Sequence, residues 1–136
     1  MKGTGTATPR APKSVEKLHQ LPCYEQDSGA GILYQFVVRP GAMGLMSAGR
    51  VRAQGPTTKA LDIHKGWDQI YIVLRGAGTM ILGKRRHRIS AGSIVRIPQG
   101  TLHGVELKKG QRIEYIYVNA FENRKALDRL IKTANL

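Results

Sequence analysis

LDIHKGWDQIYIVLRGAG, residues 61–78, carries the reading of the fold, and GSIVRIPQGTLHGVEL, residues 92–107, completes it. In Leu61-Asp62-Ile63-His64 the carboxylate and the imidazole stand two residues apart, so in extended backbone both leave the same face. That spacing suits chelation from a strand. In Gln69-Ile70-Tyr71-Ile72-Val73-Leu74 the amide shares its face with Tyr71 and Val73, and Ile70, Ile72 and Leu74 occupy the other. Apolar side chains on both faces predict a strand covered on both sides. His103 shares a face with Val105 and Leu107 while Glu106 points away, which predicts an imidazole directed inward.

Outward from this centre the chain offers further short β-rich runs: ILYQFVV at 32–38, a weaker MGLMSAGRVRA at 43–53, TKALDIH, QIYIVLR, GTMIL, SIVRI, LHGVEL and QRIEYIYV. Arg39-Pro40-Gly41, Gly55-Pro56, Gly76-Ala77-Gly78 and Pro98-Gln99-Gly100 read as the turns that separate them. Many short strands at close spacing predict an all-β sandwich or barrel. The ending differs, because Leu127, Leu130, Ile131 and Ala134 recur at helical spacing among charges, with Asn123 as N-cap. A C-terminal α-helix over about 123–134 should pack on the barrel. Residues 1–17, rich in Gly, Thr, Pro, Ala and Lys, read as a flexible basic tail, and residues 18–136 as one domain.

Taken together, the two quoted stretches resemble the paired signatures of the cupin family. Asp62-Ile63-His64 stands where the family has a His-x-His pair, Gln69 takes the following carboxylate position, and Gly76 closes the first signature. Gly92, Pro98, Gly100 and His103 match the second, with Leu107 in place of its asparagine. The resemblance spans roughly residues 32–119, with 15 residues between Gly76 and Gly92, as in small bacterial members. It implies a double-stranded antiparallel β-barrel, or jelly roll, whose core covers those residues. It also implies a divalent metal ion on Asp62, His64, Gln69 and His103, and Fe, Zn, Mn, Ni and Co all suit two imidazoles with one carboxylate. Family members include dioxygenases, isomerases, decarboxylases and polyketide cyclases, so the resemblance implies an enzyme acting on a small organic molecule without selecting the reaction. The competing reading is a non-catalytic binding or sensing module, which the amide at position 69 supports. Small cupins commonly pair, and the early ILYQFVV segment suits a homodimer contact.

Around such a site Phe36, Met46, Trp67, Tyr71 and Tyr115 are the candidate pocket residues, with Tyr34, Met43, Val73 and Tyr117 as further apolar candidates. Arg50 and Arg52 share a face, expected to point outward. The lone Cys23 excludes an intrachain disulfide and a multi-cysteine zinc site, which fits a reducing cytoplasm. No apolar run is long enough to span a bilayer, and no signal-peptide h-region is present. The formal charge of +13 concentrates in GKRRHR, Gly83–Arg88, read as a hairpin turn and the strand after it. That run suits a solvated basic edge better than specific nucleic-acid binding, since no helix-turn-helix or aromatic stacking motif accompanies it.

Overall fold

The computed structural model describes residues 13–25, 31–57 and 61–136. Among them, after a short 3-10 helix at Leu18–Gln20, eight strands and one α-helix follow in order: β1 (Tyr24–Glu25), β2 (Ile32–Met43), β3 (Met46–Gln54), β4 (Trp67–Leu82), β5 (Arg85–Ser90), β6 (Ile94–Ile97), β7 (His103–Glu106), β8 (Arg112–Phe121) and α1 (Arg124–Thr133). All pairings are antiparallel. The first half of β4 lies between β8 and β6 in the larger sheet, whose order runs β1-β2-β3-β8-β4. Its second half lies between β5 and β7 in the smaller sheet. One strand thus belongs to both walls of the barrel.

This differs from the turn expected at Gly76-Ala77-Gly78. The chain runs through it as strand, with a register shift between Val73 and Arg75 that bends β4 from one sheet to the other. Gly76 has φ +82 and lies against the backbone of Arg112, so a side chain there would overlap the Arg112 carbonyl. Arg39-Pro40-Gly41 is likewise not a turn but an irregular stretch inside β2, with Gly41 at φ +90. The described part of TKALDIH contributes only an isolated bridge between Asp62 and His103. Tyr24 and Glu25 add a strand at the larger sheet's edge where none was expected, held by the stacking of Tyr24 on Tyr34 at 5.5 Å.

Strand alternation places Tyr34, Val51, Tyr71, Val73, Ile113 and Tyr115 inside, with Met80, Ile89 and Leu107 from the smaller sheet against them. The opposite face of β4 is not covered: Ile72 and Leu74 are exposed, beside exposed Ile94 of β6. The two-faced apolar pattern of this strand therefore reflects a barrel interior on one side and an apolar outer surface on the other. Arg50 and Arg52 point outward, between Val51 and Ala53, which face the interior. Helix α1 forms where expected, capped by the Asn123 side chain, which accepts from the Ala126 N–H at 2.9 Å. Leu127 and Ala126 bury against Phe121. Most of the expected tail, residues 1–12, lies outside the described residues.

Candidate functional site

Asp62, His64, Gln69 and His103 all line one cavity of about 330 Å³ between the two sheets, closed at one side by Leu130 and Ala134 of the helical segment. The backbone that delivers the two imidazoles is tightly laced. Asp62 and His103 pair backbone to backbone, the Gly100 N–H donates to the His64 carbonyl at 2.7 Å, and the Gly66 N–H donates to Gln99 Oε1 at 2.9 Å. Those bonds bring the turn before His103 beside the turn after His64. The rings consequently lie 4.8 Å apart. Trp67 stacks on His64 at 4.6 Å and contacts Phe121 at 5.3 Å, so it both walls the cavity and anchors the helix cluster.

The tautomer of the neutral His103 ring follows from its surroundings. Its Nδ1 sits 2.9 Å from the Thr101 carbonyl oxygen, and a carbonyl only accepts, so Nδ1 carries the proton. In the neutral ring Nε2 is then the lone-pair nitrogen, as ligation or acceptance from a ligand requires.

At the floor, Gln69 Nε2 donates to Asn119 Oδ1 at 2.7 Å, and Asn119 Nδ2 donates to Ser47 Oγ at 3.0 Å. All three residues are buried. This chain fixes the Gln69 amide and leaves its Oε1 buried with no hydrogen-bond partner. Trp67 Nε1, two residues earlier on the same strand face, is also buried without a partner. One donor and one acceptor are left for whatever fills the cavity.

Tyr71 and Tyr115 stack at 4.4 Å. Burial pushes the Tyr71 phenol far above the ordinary tyrosine range, against the opposing effect of its hydrogen bond with Tyr115. Burial, followed by the neighbouring Tyr71, does the same to Tyr115. Tyr117 is pushed up to about 12 by burial and by Tyr34, with Arg39 pulling the other way. At neutral pH these phenols are hydrogen-bond donors and not bases.

Of the expected pocket residues, Phe36, Trp67, Tyr71 and Tyr115 line the cavity, together with Tyr34 and Tyr117. Met46 does not, because its neighbour Ser47 faces inward and alternation turns Met46 to the other side. Met43 is half exposed and Val73 is packed in the core. Asn119 and Ser47 were not anticipated. Asn119 repeats the period of Tyr115 and Tyr117 along β8, and that amide at an interior position was the signal available.

The donor set bears on a metal ion as follows. Among the described residues no three His, Cys, Asp or Glu side chains gather into a metal-holding group. The close pair is His64 with His103, and Gln69, whose neutral Oε1 is buried without a hydrogen-bond partner, lines the same cavity. Two imidazoles and an amide oxygen, with Asp62 on the same wall, fit a divalent ion that keeps open positions.

A family model described as "Cupin domain" matches residues 50–119. Among curated proteins none matches this sequence. Solved structures similar to the chain include the polyketide cyclase RemF from Streptomyces resistomycificus, at 14% identity and TM-score 0.71, covering 83% of this chain and 82% of that one. A predicted oxalate decarboxylase from Thermotoga maritima is similar at 18% identity and TM-score 0.71, covering 79% and 98%. KdgF from Halomonas sp. is similar at 24% identity and TM-score 0.60, covering 74% and 89%.

Proposed function

The chain belongs to the cupin family, and we propose that its cavity binds a small, uncharged, ring-containing organic molecule beside a divalent metal ion held by His64 and His103. The Gln69 amide oxygen and Asp62 complete the donor set. The observation that carries this reading is the pair of buried, unpartnered polar atoms in the cavity wall, Trp67 Nε1 and Gln69 Oε1. Each such atom costs about 1–3 kcal/mol when left unsatisfied, so a site retains them where a bound group meets them. The ring-shaped part of the ligand follows from the walls, where Trp67, Phe36 and the Tyr71–Tyr115 stack present flat apolar faces. The absence of charge follows from phenols that stay protonated and from a lining without Lys or Arg among the described residues.

The ion, when bound, supplies Lewis-acid polarisation of a ligand oxygen. The chain's own residues do the remaining work. Thr101 holds His103 in the tautomer that offers Nε2, Trp67 braces His64 from one side, and Asn119 holds the Gln69 amide so that its oxygen faces the cavity. The buried phenols donate to ligand oxygens and exclude water. Cyclisation, isomerisation and oxygen-dependent cleavage are all compatible with such a set. The neutral amide at the family's carboxylate position favours a second reading, a binding module that uses the same cavity without turnover.

The test is elemental analysis of protein purified without chelators or a nickel column, paired with native mass spectrometry of whatever organic molecule co-purifies. Stoichiometric metal that is lost in His103→Ala supports the proposal. Unchanged metal content in His103→Ala overturns the assigned ligands.

A further inference from the structure

Glu114 occupies the centre of an unusual arrangement on the outer face of the larger sheet. It is in direct register with Arg52 of β3 on one side and with Arg75 of β4 on the other. Arg112 precedes it by two residues on the same face of β8, and the Arg50 Nη1 approaches its Oε2 at 3.9 Å. Arg50 thus meets the carboxylate, while Arg52, Arg75 and Arg112 stand beside it by register, with Arg52 Nη2 donating to Cys23 Sγ at 3.7 Å. Arg52, Arg75, Arg112 and Glu114 line a surface groove of about 420 Å³, which also includes Leu33, Gly31 and Gly76. Among the described residues none of Arg52, Arg75 and Arg112 forms an ion pair with a carboxylate.

We propose that this groove is an anion site, separate from the barrel cavity, for a small doubly charged oxyanion such as a phosphate monoester or a dicarboxylate. Three arginines against one glutamate leave a surplus of two positive charges within the groove. Arg52 and Arg75 each lie directly across from Glu114, whose single charge does not balance the three guanidiniums, and a bound dianion supplies the missing negative charge. Guanidinium is the side chain whose fork matches carboxylate and phosphate oxygens in pairs, and every cation in the lining is an arginine. The shape supports a compact ligand. Gly31 and Gly76 keep side chains out of the groove, the flanking residues Leu33 and Ile113 are aliphatic, and among the described residues no aromatic ring lines it for base stacking. The exposed run Arg85–Arg88 is different in kind, because it belongs to the edge strand β5 of the smaller sheet and lines neither cavity.

The experiment is a titration of the full chain with inorganic phosphate, glycerol 3-phosphate and succinate at constant ionic strength, followed by backbone amide shifts. Chloride serves as the control. The expected result is saturable one-to-one binding by at least one dianion, with shifts confined to the neighbourhood of residues 52, 75 and 112–114. Arg75→Ala and Arg112→Ala should each weaken it about tenfold or more, as loss of a charge-assisted pair implies. All three arginines are exposed, so these variants leave the fold intact, which an unchanged melting temperature verifies. Glycerol 3-phosphate binding alone identifies the phosphate class, and succinate binding alone the dicarboxylate class. Non-saturating shifts spread over all basic residues including Arg85–Arg88, or unchanged affinity in the Arg75→Ala, Arg112→Ala double variant, would overturn the site.

Discussion

Asp62 and His103 face each other directly and exchange both backbone hydrogen bonds, Asp62 N–H to the His103 carbonyl and His103 N–H to the Asp62 carbonyl, each at 2.8 Å. In an antiparallel pair, residues opposite each other put their side chains on the same face. The carboxylate and the imidazole therefore line the same cavity although 41 positions separate them in the chain. One isolated bridge, from Asp62 to the first residue of β7, sets the register of the site.

That geometry ranks the proposed metal donors. His64→Ala and His103→Ala should each reduce divalent-metal affinity by more than the ~10–100-fold typical of losing an outer-shell partner. Asp62→Asn should cost less than either, and Gln69→Ala least, since it removes a neutral oxygen. Gln69→Glu should tighten binding by supplying a charge. Titration calorimetry with Zn and Mn across the five variants checks the order, and a Gln69→Ala effect larger than that of His103→Ala would refute it.

Asn119→Ala should destabilise the fold by about 1–3 kcal/mol, because it strips a buried partner from both Gln69 Nε2 and Ser47 Oγ. Urea unfolding gives the value. A loss within about 0.5 kcal/mol, the usual range for surface substitutions, would mean that the amide chain does not hold Gln69.

Tyrosine ionisation should be split. Tyr71, Tyr115 and Tyr117 have folded-state values above the ordinary 10.0, raised first by burial. The unfolded chain then releases these protons before the folded one does, so ν_U falls below ν_N above about pH 10 and stability declines as pH rises. Absorbance at 295 nm should show these three phenols still protonated at pH 11 and ionising together with alkaline unfolding. Full reversible ionisation of all five tyrosines with the fold intact at pH 11 contradicts this.

Gly49 lies under Tyr117, and a Cβ at this position would overlap the phenol ring. Gly49→Ala should therefore cost about 1–3 kcal/mol, as overpacking does, and shift the ring into the cavity. Calorimetric melting measures the first effect and the Tyr117 ring resonances report the second. An unchanged melting temperature would show that the ring has room to move.

Asn123→Ala removes the side-chain cap of α1 and should cost about 1 kcal/mol. Because Leu130 and Ala134 close one side of the cavity, faster amide exchange at the helix start should appear alongside the stability loss. Equal exchange rates in both proteins would exclude the cap as the helix anchor.

Local chemistry made much of this legible. Alternation along Asp62–His64 and His103–Leu107, and the amphipathic repeat behind Asn123, depend only on neighbours within a few positions, so the β class, the terminal helix and the inward His103 could be read directly, and the resemblance to the cupin signatures chose the barrel. The misreadings share one cause. Gly76-Ala77-Gly78 and Arg39-Pro40-Gly41 carry turn residues, yet both run on as strand: Gly76 pairs with β8 and Ala77 and Gly78 with β5, while Arg39-Pro40-Gly41 falls in the irregularity between the β3-paired Val38 and Met43. Ile72 and Leu74 looked buried because apolar side chains do not declare which face lies inside.

What the amino-acid order determined by itself is therefore an all-β sandwich or barrel, its helix and the inward His103, while the resemblance to the cupin signatures supplied the barrel and the place of His64. Only the tertiary structure decided what surrounds them. Gln69 meets Asn119 across 50 positions and Asn119 meets Ser47 across 72. Arg52, Glu114 and Arg75 fall into one row across three strands. Such contacts depend on the register of long-range strand pairs, and a slip of one residue would turn each of these side chains to the opposite face of the sheet.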